Sequence, residues 1–127
     1  MNKLNSKNQS VAYQTGRLMA EYAAIQTDAF GESDEGVAEK YYLAACETPA
    51  LVIGKLSAMS QSNLSLLKNE KRESYEIHSK ELEDISCMIC YGFPEKFTLE
   101  QRSEFALGYY FQCSRIRARK RKNSDIV

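Results

Sequence analysis

Thr98-Leu-Glu-Gln-Arg-Ser-Glu-Phe-Ala-Leu-Gly-Tyr-Tyr-Phe-Gln-Cys-Ser-Arg-Ile-Arg-Ala-Arg-Lys-Arg-Lys122 decides how the chain is read. Thr98 with Gln101 three residues on has capping-box spacing, in which each side chain bonds the other residue's backbone N–H, so a helix is predicted to begin here. Phe105 and Tyr109 share a face at helical spacing and read as core, whereas Tyr110 and Phe111 point to another side. A helix apolar around much of its girth is either central or touches another subunit. Six cations follow (Arg115, Arg117, Arg119, Lys120, Arg121 and Lys122) in a sequence that offers them no adjacent acid. Such a run is expected to stay in solvent.

Outward from this stretch the helical pattern continues. Gly92-Phe93-Pro94 is expected to end a fourth helix that starts near Lys71, because glycine suits the position just past a helix and proline cannot continue one. That helix has the cleanest period in the chain: Tyr75, His78, Leu82, Ile85 and Ile89 are spaced three, four, three and four. Thr48-Pro49 marks the start of a third helix, with threonine capping and proline at the first helical position, and its end is expected near Lys68-Asn69. A shorter helix is expected over Val37 to Cys46. The first runs from a Ser10 cap to about Ala29 on the stripe Val11, Leu18, Tyr22, Ile25 and Ala29. Arg17 and Glu21, four apart, are expected to pair on its flank. The fold class is therefore all-α, a compact helical bundle of about five helices: 1–9 a flexible N-terminus, 10–114 the bundle, 115–127 a basic C-terminal extension.

At 127 residues the chain is long enough for one real core, and 43% hydrophobic with 27% charged residues is ordinary for a globular protein. The net charge is zero but unevenly spread. Residues 1–113 hold eleven Lys and Arg against sixteen Asp and Glu, and residues 114–127 hold six against one. That asymmetry points to a polyanion near the C-terminus, or else to a solubilising tail. No run of 18 apolar residues is present, so no membrane helix is expected, and the polar start Met1 to Ser10 lacks the apolar region of a signal peptide. A cytoplasmic location with reduced cysteines is the expectation.

No catalytic residue, metal site or cofactor is expected, and the chain does not read as an enzyme. Cys87-Met-Ile-Cys90 with Cys46 and Cys113 has the composition of a four-thiolate zinc site, but the pair lies in an apolar helical stripe, where cysteine packs as a small hydrophobe. His78 is the only histidine and falls on the apolar stripe, where a hydrogen-bonded interfacial role is expected; Glu81 reads as a helix-surface neighbour. The acids Glu70, Glu73, Glu76, Glu81, Glu83 and Asp84, alternating with Lys71, Arg72 and Lys80, read as a solvated face. The remaining signal is basic. Clustered cations bind nucleic acid in a salt-dependent, sequence-blind way, because each neutralised phosphate releases counterions. Arg115 with Arg119, and Arg117 with Arg121, form two rows if the last helix extends that far; Arg17, Lys40, Lys55, Lys68, Lys71 and Arg72 are further candidates. Cutting the chain after Ser114 is expected to leave the bundle folded and lower its affinity for DNA.

Five blocks in order, Tyr13-Gln-Thr-Gly-Arg-Leu-Met-Ala20, Lys40-Tyr-Tyr-Leu-Ala-Ala45, Thr48-Pro49-Ala50, Gly92-Phe93-Pro94 and Phe105-Ala-Leu-Gly-Tyr-Tyr110, resemble the C-terminal region of the large subunit of type I-C CRISPR surveillance complexes. A chain of this kind starting at its own Met1 is similar to the small subunit that the family makes from an internal start. The resemblance implies a helical bundle and a noncatalytic role in antiviral defence. Several copies would lie along the Cascade complex, partnered by its backbone and large subunits and by one another. They would contact the crRNA–target DNA hybrid and hold the displaced single-stranded DNA of the R-loop. R-loop formation is nearly energy-balanced, so modest backbone contacts can tip it. Arg17, Lys40 and Lys55 are the residues it carries over. The resemblance stops near Gln112, so the basic tail rests on charge alone, and the acidic loop Gly31–Gly36 is expected to face away from nucleic acid. A stand-alone helical protein-interaction adaptor with no nucleic-acid role is the alternative.

Overall fold

The computed structural model describes residues 10–31, 36–89 and 92–126, with side chains through Arg121. The expectations for residues 1–9, for most of the acidic loop, for Cys90 and for the Lys122 side chain fall outside these. Among the described residues there are five helices and no strand: α1 (Val11–Phe30), α2 (Val37–Glu47), α3 (Pro49–Glu70), α4 (Arg72–Cys87) and α5 (Leu99–Ile126).

The helix starts follow the local chemistry. The Ser10 hydroxyl accepts from the Tyr13 N–H at 3.3 Å. Thr98 and Gln101 form the reciprocal box, Thr98 N–H to Gln101 Oε1 at 2.9 Å and Gln101 N–H to Thr98 Oγ1 at 3.2 Å. Thr48 behaves differently from expectation. Pro49 does stand at the first position of α3, but the Thr48 hydroxyl donates to the Ala44 carbonyl at 3.1 Å and so closes the end of α2. Helix α4 stops at Cys87, several residues before Gly92. The chain then turns to bond the corner between α2 and α3, with Ala50 N–H on the Pro94 carbonyl at 3.2 Å and Phe97 N–H on the Glu47 carbonyl at 3.3 Å.

Helix α1 is the centre of the bundle and touches all four others. Its most extensive partner is α5. Gly16 and Gly108 explain how closely these two helices approach. A Cβ on Gly16 would collide with the Phe105 carbonyl and the Tyr109 backbone nitrogen, and one on Gly108 with the Tyr13 carbonyl. Only glycine at both positions lets the two backbones touch. Tyr13 lies by Gly108, Gly16 by Phe105 and Tyr109, and Asp28 by Lys120, so α1 and α5 run parallel. The pairs of α1 with α4 run the other way: Arg17 with Glu81, Glu21 with His78 and Asp28 with Ser74.

Around this axis Leu18, Met19, Ile25, Ile53, Leu56, Leu67, Ile85, Phe97 and Phe105 form the main core. Tyr42 packs edge-on against both Phe105 and Tyr109, with centroids 5.2 and 5.0 Å away. Phe105 and Tyr109 are thus core residues, while Tyr110 is exposed. Of the cysteines, Cys46 joins the core, Cys113 is half-buried and Cys87 is exposed rather than packed. Burial raises the thiol pKa of both Cys46 and Cys113, which keeps them protonated. The basic segment is no appendage. Helix α5 runs unbroken past residue 114, and Ile116 is buried against Ala20 and Ala24.

Candidate nucleic-acid interface

The residues nominated for nucleic acid divide into those the fold buries and those it displays. Arg17 is buried, so the solvated flank on which it is expected to pair with Glu21 and to meet a phosphate is in fact interior, where Glu21 still acts on it electrostatically. Its guanidinium donates to Gln112 Oε1 at 2.8 Å, to Gln14 Oε1 at 3.0 Å and to Glu81 Oε1 at 3.2 Å, and it lies over the Phe111 ring. Burial pulls its pKa down and Glu81 opposes the shift, so it remains a cation. Glu81, read from spacing as a surface neighbour, is also buried. It gathers Arg17, Arg115 (3.0 Å) and Arg119 (3.1 Å).

A second carboxylate completes the network. Glu21 is fully buried and accepts from Gln112 Nε2 at 2.9 Å, from Arg119 Nη2 at 3.1 Å and from His78 Nδ1 at 2.5 Å. The other nitrogen of His78 lies 2.6 Å from Asp28 Oδ2. With a carboxylate at each ring nitrogen the imidazole is held as a cation. Burial alone would lower its pKa, but the hydrogen bonds to Asp28 and Glu21 prevail and raise it. Glu21 shows the converse: burial pushes its carboxyl up, while His78 and Arg119 bring it below the usual range. Among the described residues no buried side-chain polar atom lacks a partner. His78 is thus the interfacial histidine the sequence suggested, but its partners Glu21 and Asp28, and the bridging Gln112, went unforeseen. The signal was available in part. Gly16, Ala20 and Ala24 leave α1 little bulk, so its polar side chains have other helices close on several sides.

The displayed cations form distinct groups. Lys40 and Lys55, from α2 and α3, both stand over the Tyr41 ring, 6.0 and 5.2 Å from its centroid. Lys68 and Arg72 do the same at Tyr75, at 5.8 and 6.0 Å. Arg117 and Arg121 are exposed on the outer side of α5. Arg115 and Arg119 share the inner row and are engaged by Glu81 and Glu21, so they are weaker candidates than their charge implied.

Lys71, Arg72, Arg119 and Lys120 converge on a cleft of about 610 Å³ between the start of α4 and the end of α5, lined also by Asp28, Glu73, Ser74, Ile77 and His78. Asp28 sits at its base. Its carboxylate accepts from Ser74 Oγ at 3.0 Å and pairs with Lys120 Nζ at 3.2 Å, and its backbone carbonyl accepts from Lys71 Nζ at 2.8 Å. Arg72 leans on Glu76 at 3.5 Å and stays largely exposed. The spacing 71–72 against 119–120 gave no hint of this meeting, which the parallel α1–α5 crossing creates. Among the described residues no group of three or more His, Cys, Asp or Glu side chains has the geometry to hold a metal ion, and no helix is long and apolar enough to cross a membrane.

Compared with known proteins, residues 1–116 match the model of the family described as CRISPR-associated protein (Cas_Csd1). No curated protein matches the chain.

Proposed function

The chain belongs to the Cas_Csd1 family of CRISPR-associated proteins, and from that membership we propose that it is the noncatalytic small subunit of a type I-C CRISPR RNA-guided surveillance complex, working in the cytoplasm in several copies. In this reading it binds the sugar-phosphate backbone of the displaced DNA strand and stabilises the R-loop beside the crRNA–target hybrid. The observation that carries the reading, beyond the family, is the display of cations on several helices in the company of tyrosines: Lys40 and Lys55 at Tyr41, Lys68 and Arg72 at Tyr75. Ammonium and guanidinium groups neutralise phosphates, and an aromatic ring beside them offers a base a surface to stack on. Both contacts are blind to sequence, which suits a subunit whose target is set by guide pairing.

A noncatalytic role is supported by how the reactive groups are used. His78 is tied at both nitrogens, so it offers no lone pair to a substrate. The Cys46 and Cys113 thiols are pushed away from the thiolate form. Leu43, Leu51 and Leu99 are exposed apolar side chains on three helices that a neighbouring subunit would cover.

Two measurements test the proposal. The protein, co-expressed with the other subunits and a crRNA, should co-purify with the crRNA-bound complex. Alone it should bind a mixed-sequence single-stranded DNA with affinity that falls steeply as salt rises. Exclusion from the complex would overturn the reading, and salt-insensitive binding to a defined protein partner would favour the adaptor in its place.

A further inference from the structure

The cleft between α4 and α5 differs from the other basic groups because it already contains an anion. The Asp28 carboxylate receives His78, Ser74 and Lys120, and the Asp28 carbonyl receives Lys71. That is the set of donors a phosphate would recruit: an imidazolium, a hydroxyl and ammonium groups converging on oxygen. Arg72 and Arg119 also line the cavity, and Glu73 is the one further acid in its wall. With His78 protonated, its lining carries five cations against two carboxylates, while Glu21 and Glu81 engage His78 and Arg119 from behind and Glu76 engages Arg72. Lys71 meets the neutral carbonyl of Asp28 and not its carboxylate, so the mouth of the cleft keeps cationic charge that Asp28 does not neutralise.

We propose that this cleft seats a phosphate of a single-stranded nucleic-acid backbone, and that Asp28 is a resident competitor that holds the site's affinity down. The inference rests on the nucleic-acid reading above and assigns it a location. Lys71, Arg72 and Lys120 are the contacting cations, since their side chains are exposed enough to swing onto a phosphate. His78 and Arg119 are positioning residues held by Glu21 beneath. A phosphodiester entering the cleft meets Lys120 and Lys71 while both are engaged with Asp28, so each contact forms in competition with it. Release of Lys120 would favour the phosphate, and re-engagement would let the strand go.

The test uses the full chain, a fluorescein-labelled mixed-sequence DNA strand, and affinity measured across a range of salt. Asp28→Asn keeps the shape and the acceptor for Ser74 but removes the charge. It should tighten binding about threefold to tenfold, as expected for deleting one charge a few ångströms from a phosphate near a protein surface. Lys71→Gln/Arg72→Gln should weaken binding about tenfold. It should also lower the slope of log affinity against log salt by about 1.4, that is, about 0.7 for each lost single-strand contact. Lys120→Gln, half-exposed on the opposite wall, should act in the same direction and keeps the test alive if Asp28→Asn does not fold, as judged by circular dichroism. If wild type binds but the lysine and arginine variants keep its slope, or folded Asp28→Asn binds no more tightly, the cleft proposal is wrong and the strand is held elsewhere. If wild type shows no salt-dependent binding, the nucleic-acid reading falls with it. Titration with inorganic pyrophosphate identifies the source: tighter binding than to the DNA strand would overturn the backbone assignment in favour of a small free phosphate.

Discussion

Arg119 reaches the buried carboxylate of Glu21, 98 residues earlier, with Nη2 at 3.1 Å from Oε2. A residue that charge alone would assign to a solvated tail is thereby part of the bundle's interior. Its pairing changes what truncation and mutation should do.

Ending the chain after Ser114 removes Ile116, which packs on Ala20 and Ala24, and strips Arg119 from Glu21 and Glu81. The bundle should then lose at least about 3 kcal/mol, because a buried methylene cluster is exposed and two buried carboxylates lose a cation. Urea unfolding of the shortened chain measures this. Stability equal to that of the full chain would show that the end of α5 does not belong to the fold.

Glu81 should prove more important to stability than any surface acid on α4. Glu81→Gln takes the carboxylate charge away from the buried Arg17 and from Arg115 and Arg119 together, and breaking such a buried pair costs about 3–5 kcal/mol. Glu83→Gln, exposed on the same helix, should change stability by less than about 0.5 kcal/mol. A comparison of the two melting temperatures decides the matter, and similar values would contradict the network.

Gly16→Ala and Gly108→Ala should each destabilise by about 3 kcal/mol or more, since the new methyl meets backbone that no rotamer change can move. Gly54→Ala, where a Cβ would meet open space within α3, should instead stabilise by a few tenths up to about 1 kcal/mol. Chemical denaturation of the three variants side by side is the check.

Stability should also depend on pH in a definite direction. His78 faces Glu21 and Asp28 from α1, with Arg119 and Lys120 nearby on α5. Its pKa is raised in the fold, burial being outweighed by its two carboxylate partners. Its contribution is therefore complete below the unfolded imidazole value of about 6.5 and is lost as pH rises through the higher folded value. Glu21 and Asp28 are depressed, burial being outweighed by His78 and the neighbouring cations. Their contribution is present above ordinary carboxylate values of about 4 and disappears as pH falls through the folded ones. Melting temperature should accordingly be highest between about pH 5 and about 6.5. His78→Asn should flatten the alkaline side, and a wild type equally stable at about pH 6 and about pH 9 would refute the assignment.

The fold was legible where local chemistry governs it. The Thr98–Gln101 box, the Ser10 cap, Pro49 and the period through Tyr75, His78 and Ile85 mark helices that the structure contains. What escaped was set by tertiary placement. Arg17 and Glu21 at a spacing of four look the same on a solvated flank and in an interior, because sequence spacing defines a face but not what covers it. Likewise Arg115 and Arg119 announce charge without announcing that Glu81 lies opposite. Helix α4 ends early at Cys87 with the Met88 and Ile89 N–H groups tightened onto Ile85 and Ser86, and Pro94 and Phe97 bond a distant corner that their own sequence does not announce.

The crossing at Gly16 and Gly108 has a consequence for how the molecule is made. Helical bundles ordinarily fold fast because their contacts are local in sequence. Here the most intimate interface joins the first helix to the fifth, and closing a loop of that length costs about 4 kcal/mol of chain entropy before any contact repays it. During synthesis the side of α1 at Tyr13 and Gly16 that meets α5 stays uncovered until Phe105 and Gly108 have been added. The closest packing in the domain is therefore among the late events of its assembly, whatever α1 to α4 form beforehand.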